Sequence, residues 1–390
     1  MRLTAITMPY FYTGEGTDIA DALRSGKFEY VHLRKPGCLP QQLKELIETV
    51  PADLRHRLTL HDCHEIASET GAGGIHLNYR NPHIPAGWRG RISRSIHSIE
   101  EIDAITPGYD YAFLSPVFPS LSKPGYRHNF DLQTLRDRLT PRIYALGGVT
   151  HENLPDVEAM GFAGAAMLTA AWSRPIDMKA FRLQLITDGA NAEEVAEGAR
   201  RAVDGGCRWV QIRMKNAPAE EVERVAKMLA PLRDSHGIVL LVDDHVELAA
   251  RLDCLDGVHV GKNDMPVGEA RRLLGPSKIL GATANTFADL EKNIADGADY
   301  IGLGPLRFTT TKKNLSPVLG IEGYRDITGE CQRRGLGRPV VAIGGITAAD
   351  VEPLAATGVA GIAVSGTILR SPDPAAAAAE LSEALQHVYN

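Results

Sequence analysis

The sequence predicts an α/β protein made of two tandem (β/α)8 TIM barrels, and three observations predict it. First, the 390-residue chain repeats itself in order. "VHLRKPG" (31–37) answers "VQIRMKN" (210–216), "GGIHLN" (73–78) answers "DGVHVG" (256–261), and "YDYAFLSPV" (109–117) answers "ADYIGLGPL" (298–306). "ALGGVT" with "GFAGAAMLTA" (145–170) answers "AIGGIT" with "GVAGIAVSGT" (342–367), without a gap. Second, within the second copy short β-rich runs alternate with amphipathic stretches of helical spacing. Third, the composition, 44% hydrophobic and 23% charged, is that of a globular chain long enough for two cores.

The second copy is the cleaner. Its expected strands are 182–187, 208–213, 238–242, 256–260, 278–282, 299–304, 339–343 and 360–364, with helices between them and after the last. Eight such regular units suit a closed barrel; an open doubly wound sheet rarely needs as many. The first copy is less regular. Pro and Gly in "NPHIPAGWRG" (81–90) argue against a helix between its strands 4 and 5. After its eighth strand only "AWSRPIDMKA" precedes the second copy, so the first barrel is expected to be degenerate, its final helix short or missing. The second domain is expected to help cover the face this leaves open. The expected domains are 1–177 and 178–390, joined near 171–181.

A net charge of −6 argues against a nucleic-acid surface. No apolar run reaches the roughly 18 residues of a membrane span, and residues 1–20 lack the regions of a signal peptide. Five scattered cysteines without a CxxC argue against a disulfide framework or cysteine-rich zinc site. A cytoplasmic chain acting on small molecules, away from membranes and nucleic acids, is expected; a homo-oligomer is compatible with the sequence.

In this fold the active site lies at the C-terminal ends of the strands. Strand 2 of the second copy ends in Gln211, Arg213 and Lys215, which face one side while the chain stays extended. Two neighbouring cations call for an anion; the bland alternative is a solvated pair. Strand 3 ends in "VDDH" (242–245) and strand 4 in "GKND" (261–264), bringing Asp243 or Asp244 towards Asp264. Carboxylates from adjacent loops suit Mg²⁺, although an aspartate there can also cap a helix. The long loop "GPLRFTTTKKNLSPVLG" (304–320) offers Thr309, Thr311, Lys312 and Lys313 to a phosphate. Gly344–Gly345 after strand 7 and Ser365–Gly366 after strand 8 let backbone N–H groups approach an anion. These residues point to an enzyme that takes two phosphorylated substrates and a metal, with pyrophosphate leaving. No Ser/His/Asp triad or cysteine nucleophile stands out, and mid-strand His259 is expected to pack inside the barrel.

The stretches "VQIRMKN", "VDDHVELA", "DGVHVGKND", "ADYIGLGPL", "TTTKK", "AIGGIT" and "GVAGIAVSG", in family order over nearly all of 182–388, resemble thiamine phosphate synthase. That family joins 4-amino-2-methyl-5-hydroxymethylpyrimidine diphosphate to 4-methyl-5-(2-hydroxyethyl)thiazole phosphate. The resemblance implies Mg²⁺ on Asp244 and Asp264, and Gln211, Arg213, Lys215 and Lys312 near the pyrimidine and its diphosphate. It implies Thr283 beside the pyrimidine, and Thr309, Thr311, Gly345, Ser365 and Gly366 around the thiazole phosphate. Asp243 departs from the family's usual asparagine, and its extra charge needs compensation, for which His245 is a candidate.

The first half resembles the same superfamily, nearer its thiazole tautomerase branch. "HLRKPG" keeps Arg34 and Lys35, with His32 in place of the glutamine. Asp62 in "LHDCHE" survives, whereas Asn81 stands where the second metal aspartate is expected. "SIHSIEE" (95–101) resembles the tautomerase segment whose histidine moves a proton, which implies His97 as general acid/base. "FLSPVF" (113–118) with "SKPGY" (122–126) resembles the substrate loop, and Gly147–Gly148 the phosphate turn. A non-catalytic scaffold is the alternative for this half. For the whole chain the alternative is a phosphate-binding regulator, which the intact Arg213, Lys215, Asp244, Asp264 and Lys312 disfavour.

Overall fold

The structure is a computed structural model and describes residues 1–103, 105, 108–118, 135–173, 175–308 and 318–389. It contains two compact units, Met1–Ser173 and Arg174–Asn390.

Each unit is a closed barrel of eight parallel strands in sequential order. The N-terminal barrel runs β1 (Arg2–Ile6), β2 (Tyr30–Leu33), β3 (Leu58–Leu60), β4 (Gly74–Leu77), β5 (Arg91–Ile96), β6 (Tyr111–Leu114), β7 (Ile143–Ala145) and β8 (Gly164–Met167). β8 closes on β1, with Leu3 opposite Ala165. The C-terminal barrel runs β9 (Leu183–Ile186), β10 (Trp209–Ile212), β11 (Val239–Asp243), β12 (Gly257–Val260), β13 (Ile279–Ala284), β14 (Tyr300–Leu303), β15 (Val340–Ile343) and β16 (Gly361–Val364). Each of these eight strands overlaps the run expected for it.

Alternation along each strand divides the core into two layers. In the C-terminal barrel one set of side chains, such as Val210, Ile212, Leu240 and Val242, packs against the helices. The other set fills the interior, where Phe181, Trp209 and Tyr300 meet edge to face with centroids 5.2–5.6 Å apart. The helices form for local reasons. Asn191 caps Ala192–Asp204 by accepting from the Glu194 N–H, and this helix buries Val195, Ala196, Ala199, Ala202 and Val203 on one stripe. Thr286 and Asp289 close a capping box at the start of Phe287–Ala295.

The N-terminal barrel is the degenerate one. Residues 81–90 form no helix, and among the described residues the helix after β5 spans Glu100–Asp103. After β8 the described residues of this unit hold only the short helix Thr169–Trp172, whose Trp172 is buried and donates from Nε1 to the Ile6 carbonyl at 2.7 Å. The C-terminal barrel instead ends in the 16-residue helix Pro374–Tyr389. Among the described residues no helix is long and apolar enough to cross a membrane.

Candidate active site

At the C-terminal ends of β10 and β11 three side chains lock together. Gln211 is buried and its Nε2 donates to Asp243 Oδ1 at 2.5 Å. Arg213 Nε lies 3.0 Å from Asp243 Oδ2, both side chains mostly buried. The Arg213 backbone N–H donates to Thr187 Oγ1 at 2.8 Å, which ties the end of β10 to the end of β9. The Arg213 guanidinium therefore supplies counter-charge to Asp243, where the sequence pointed to His245. Beyond Arg213 the chain turns at Asn216 (φ 62°), leaving Lys215 exposed at the barrel mouth.

Asp244, one residue on, takes the left-handed conformation at φ 66° and donates its N–H to the His259 carbonyl at 2.9 Å. This backbone turn points it away from Asp243 and towards Asp264. Asp264 Oδ2 accepts from the Gly261 N–H at 3.0 Å. A Cβ at Gly261 would lie 2.4 Å from that same oxygen and 4.0 Å from Asp244 Oδ1, so glycine leaves the room in which the two carboxylates meet. Burial of its carboxylate, then the charge of Asp243, then a hydrogen bond and the charge of Asp264 push the Asp244 pKa up to about 7. The residue as a whole remains solvent-accessible. Two carboxylates crowded in this way form an oxygen-donor pair that a hard divalent cation would relieve.

Deeper in the barrel, His259 Nε2 lies 2.9 Å from Thr283 Oγ1 and Nδ1 lies 3.0 Å from Tyr300 Oη. Mid-strand His259 is thus a packed interior residue that orients the Thr283 hydroxyl. On the other side, Gly344 (φ 95°) and Gly345 (φ 71°) follow β15, and Ser365–Gly366 follow the adjacent β16. A Cβ on Gly345 would fall 2.7 Å from Arg307 Cγ. Arg307 braces the turn: Nη1 donates to the Gly345 carbonyl at 2.7 Å, and Nη1 and Nη2 reach Asp350 at 2.8 and 2.5 Å. Sequence reasoning missed this brace; an arginine just after β14 gave no signal of its own. Thr309, Thr311, Lys312 and Lys313 lie outside the described residues, as does "SKPGY" (122–126).

The N-terminal barrel repeats the frame with other chemistry. The Arg34 N–H donates to Thr7 Oγ1 at 3.0 Å, as Arg213 does to Thr187. Gly147 (φ 91°) and Gly148 (φ 64°) reproduce the turn of Gly344 and Gly345. At the second turn, however, Leu168–Thr169 stand where the other copy has Ser365–Gly366. Lys35 falls opposite Met214 in the repeat, one residue short of Lys215, and is fully buried, 2.6 Å from Glu15 Oε1, with bonds to the Met8 and Tyr10 carbonyls. Asn81 Nδ2 donates to Asp62 Oδ1 at 3.1 Å, and Arg80 reaches the same oxygen at 3.4 Å. An amide and a guanidinium thus both engage Oδ1 of Asp62, while its Oδ2 is buried without a hydrogen-bond partner; the other barrel sets Asp264 against Asp244. His97 directly follows β5, exposed, with Nδ1 3.0 Å from the Ser115 carbonyl and its N–H on Glu101 Oε2.

The family model described as thiamine monophosphate synthase matches residues 3–171 and again 183–368. The thiamine-phosphate synthase of a Bacteroides fragilis strain is 56% identical over 192 residues, covering 49% of this chain and 94% of that protein. That of Flavobacterium johnsoniae is 41% identical over 204 residues, covering 52% of this chain and 96% of that protein. A solved thiamine phosphate pyrophosphorylase from Pyrococcus furiosus is 32% identical with a TM-score of 0.48, covering 55% of this chain and 99% of that one.

Proposed function

The chain belongs to the thiamine monophosphate synthase family, and on that footing we propose that its C-terminal barrel joins hydroxymethylpyrimidine diphosphate to thiazole phosphate, yielding thiamine phosphate and pyrophosphate. The activity is that of a transferase. In the reaction the bond between the pyrimidine methylene carbon and the diphosphate oxygen breaks, and its electron pair leaves with pyrophosphate. The aminopyrimidine delocalises the developing positive charge, and the thiazole nitrogen lone pair forms the new C–N bond. No protein nucleophile is required, so the residues bind, orient and neutralise.

The observation that carries this reading is the contrast between the two mouths. Asp244 and Asp264 are crowded carboxylates in the C-terminal barrel, whereas in the N-terminal one Asp62 has no second carboxylate at Asn81 and its Oδ1 is taken by Asn81 and Arg80. Asp244 and Asp264 would hold Mg²⁺, which when bound neutralises charge on the leaving diphosphate. Arg213 and Lys215 face the diphosphate, with Lys312 in the adjoining loop. Gln211, Asp243 and Thr283 position the pyrimidine; the Gln211–Asp243 and His259–Thr283 bonds fix the polar atoms it would meet. The backbone of Gly345 and of Ser365–Gly366, with Thr309 and Thr311, receives the thiazole phosphate. The reading is tested by assaying the full chain for thiamine phosphate with and without Mg²⁺: Mg²⁺-dependent product is expected, and a chain that binds both substrates without joining them would be a regulator.

A second reading, for the N-terminal barrel, is favoured by His97. With Nδ1 bonded to the Ser115 carbonyl, the neutral ring carries its proton there and leaves Nε2 as the basic nitrogen. A base at the strand end, bordering Ser115 as the Gly147 turn also does, suits proton transfer in a non-aromatic thiazole phosphate tautomer. His97→Gln should then slow aromatisation of that tautomer and leave synthesis from aromatic thiazole phosphate unchanged. Wild-type chain with no aromatisation above background would mark this barrel as a scaffold.

A further inference from the structure

Three histidines converge inside the N-terminal barrel. His32 lies in β2, His61 directly follows β3 and His76 lies in β4, three strands that are neighbours in the sheet. One ring nitrogen of each lies within 4.8 Å of those of the other two. The repeat aligns these positions with Gln211, Asp243 and His259 of the C-terminal barrel. Where that barrel sets an amide against a carboxylate, this one sets imidazole against imidazole, His32 Nδ1 lying 2.8 Å from His61 Nε2.

The trio has what a metal ligand set needs. All three side chains are buried, and burial, followed by repulsion from a neighbouring histidine, lowers their pKa values, that of His76 to about 3. Each ring is therefore uncharged at neutral pH, with a lone pair to give. Nitrogens on the far side are already tied down: His32 Nε2 lies 2.7 Å from Tyr111 Oη, and His76 Nδ1 lies 2.9 Å from Ser93 Oγ. Such outer partners fix the tautomer and orientation of histidine ligands. The one nearby carboxylate in the matched positions, Asp62, is engaged by Arg80 and Asn81.

We infer that His32, His61 and His76 form a site for a divalent transition-metal ion of the zinc class, each giving one nitrogen and leaving a fourth position open. Binding exchanges the His32–His61 hydrogen bond and the bond of His76 Nε2 to Ser95 Oγ for three coordinate bonds, with the nitrogens settling roughly 3.3 Å apart as tetrahedral Zn–N geometry requires. His61 and His76 stack with centroids 4.0 Å apart and planes 16° from parallel, so one ring must turn to aim at the same ion. His61 is that ring, since Ser93 Oγ holds His76 at Nδ1 while Ser95 Oγ gives up Nε2 to the ion. Imidazole nitrogen favours zinc-class ions and carboxylate oxygen favours Mg²⁺, so the two barrels would select different metals.

The full-length chain, stripped with chelator and kept in excess Mg²⁺, is titrated with Zn²⁺ against a chromophoric chelator and with Co²⁺ followed by visible absorption. One tightly held Zn²⁺ per chain and a tetrahedral Co²⁺ spectrum are expected. His32→Gln, which installs the residue of the other barrel, should weaken Zn²⁺ binding more than about 100-fold. Tyr111→Phe keeps all three ligands and should weaken it about 10- to 100-fold. A wild-type chain that retains no Zn²⁺, or equal affinity in wild type and His32→Gln, overturns the assignment. Should His32→Gln fail to fold by circular dichroism, Tyr111→Phe decides, and unchanged affinity there also overturns it.

Discussion

Asp243 shows how one side chain changes a site without emptying it. Its charge is shared by the Gln211 amide and the Arg213 guanidinium, so the carboxylate holds those two groups in fixed relation. Lys215 lies beyond this lock, exposed at the mouth. Lys215→Ala should therefore raise KM for the pyrimidine diphosphate or lower kcat, about 10- to 100-fold in kcat/KM, and leave thiazole phosphate affinity nearly unchanged. Steady-state kinetics with each substrate varied checks this; equal weakening towards both would contradict the assignment. The three N-terminal histidines carry a pH prediction. Their folded pKa values lie below the ordinary 6.5, so the unfolded chain takes up protons that the folded one refuses. Stability should be full above about pH 6.5 and fall as pH drops below it. Tm measured from pH 7.5 down to 5.5 should fall, and less steeply in His32→Gln. The Asp244–Asp264 approach was legible in the sequence because both follow adjacent strands. The Arg80 contact to Asp62 was not, because an arginine in a loop carries no period or spacing that says which carboxylate it meets.

Among the elements, the strands were the most legible and the βα turns the least. The eight runs of the second copy stood out because strands covered on both faces read as short apolar runs between turn residues. The missing helix at 81–90 was legible from its prolines and glycines. What the sequence concealed is bracing across elements, such as Arg307 reaching from after β14 to the turn after β15. That brace separates two glycines that look alike in sequence. Gly335 (φ 66°) ends the helix Gly320–Arg334 with nothing within 4 Å of a built Cβ, whereas Gly345 (φ 71°) would press a Cβ to 2.7 Å from Arg307 Cγ. Gly335→Ala should cost about 1 kcal/mol of stability and leave kinetics unchanged. Gly345→Ala should cost more, about 1–3 kcal/mol, and raise KM for thiazole phosphate by displacing the turn. Denaturant unfolding with parallel kinetics separates the two; a Gly345→Ala chain with normal thiazole phosphate KM would remove this turn from the site.

At the scale of the molecule, one barrel frame is used twice with different chemistry at matched positions. The frame was legible in the ordered repeats, since glycine turns and strand ends tolerate little change. The difference between the two barrels was only half legible: the loss of the second aspartate at Asn81 is visible in the sequence, but the convergence of His32, His61 and His76 appears once three strands are laid side by side. The central claim is that synthesis resides in the C-terminal barrel, on the carboxylate pair that the N-terminal barrel lacks. The most direct test makes Asp264→Ala and Asn81→Ala in the full-length chain, two substitutions at equivalent positions of the two barrels, and measures Mg²⁺-dependent thiamine phosphate formation. Asp264→Ala should remove most of the activity while Asn81→Ala barely changes it; comparable losses in both variants would contradict the account.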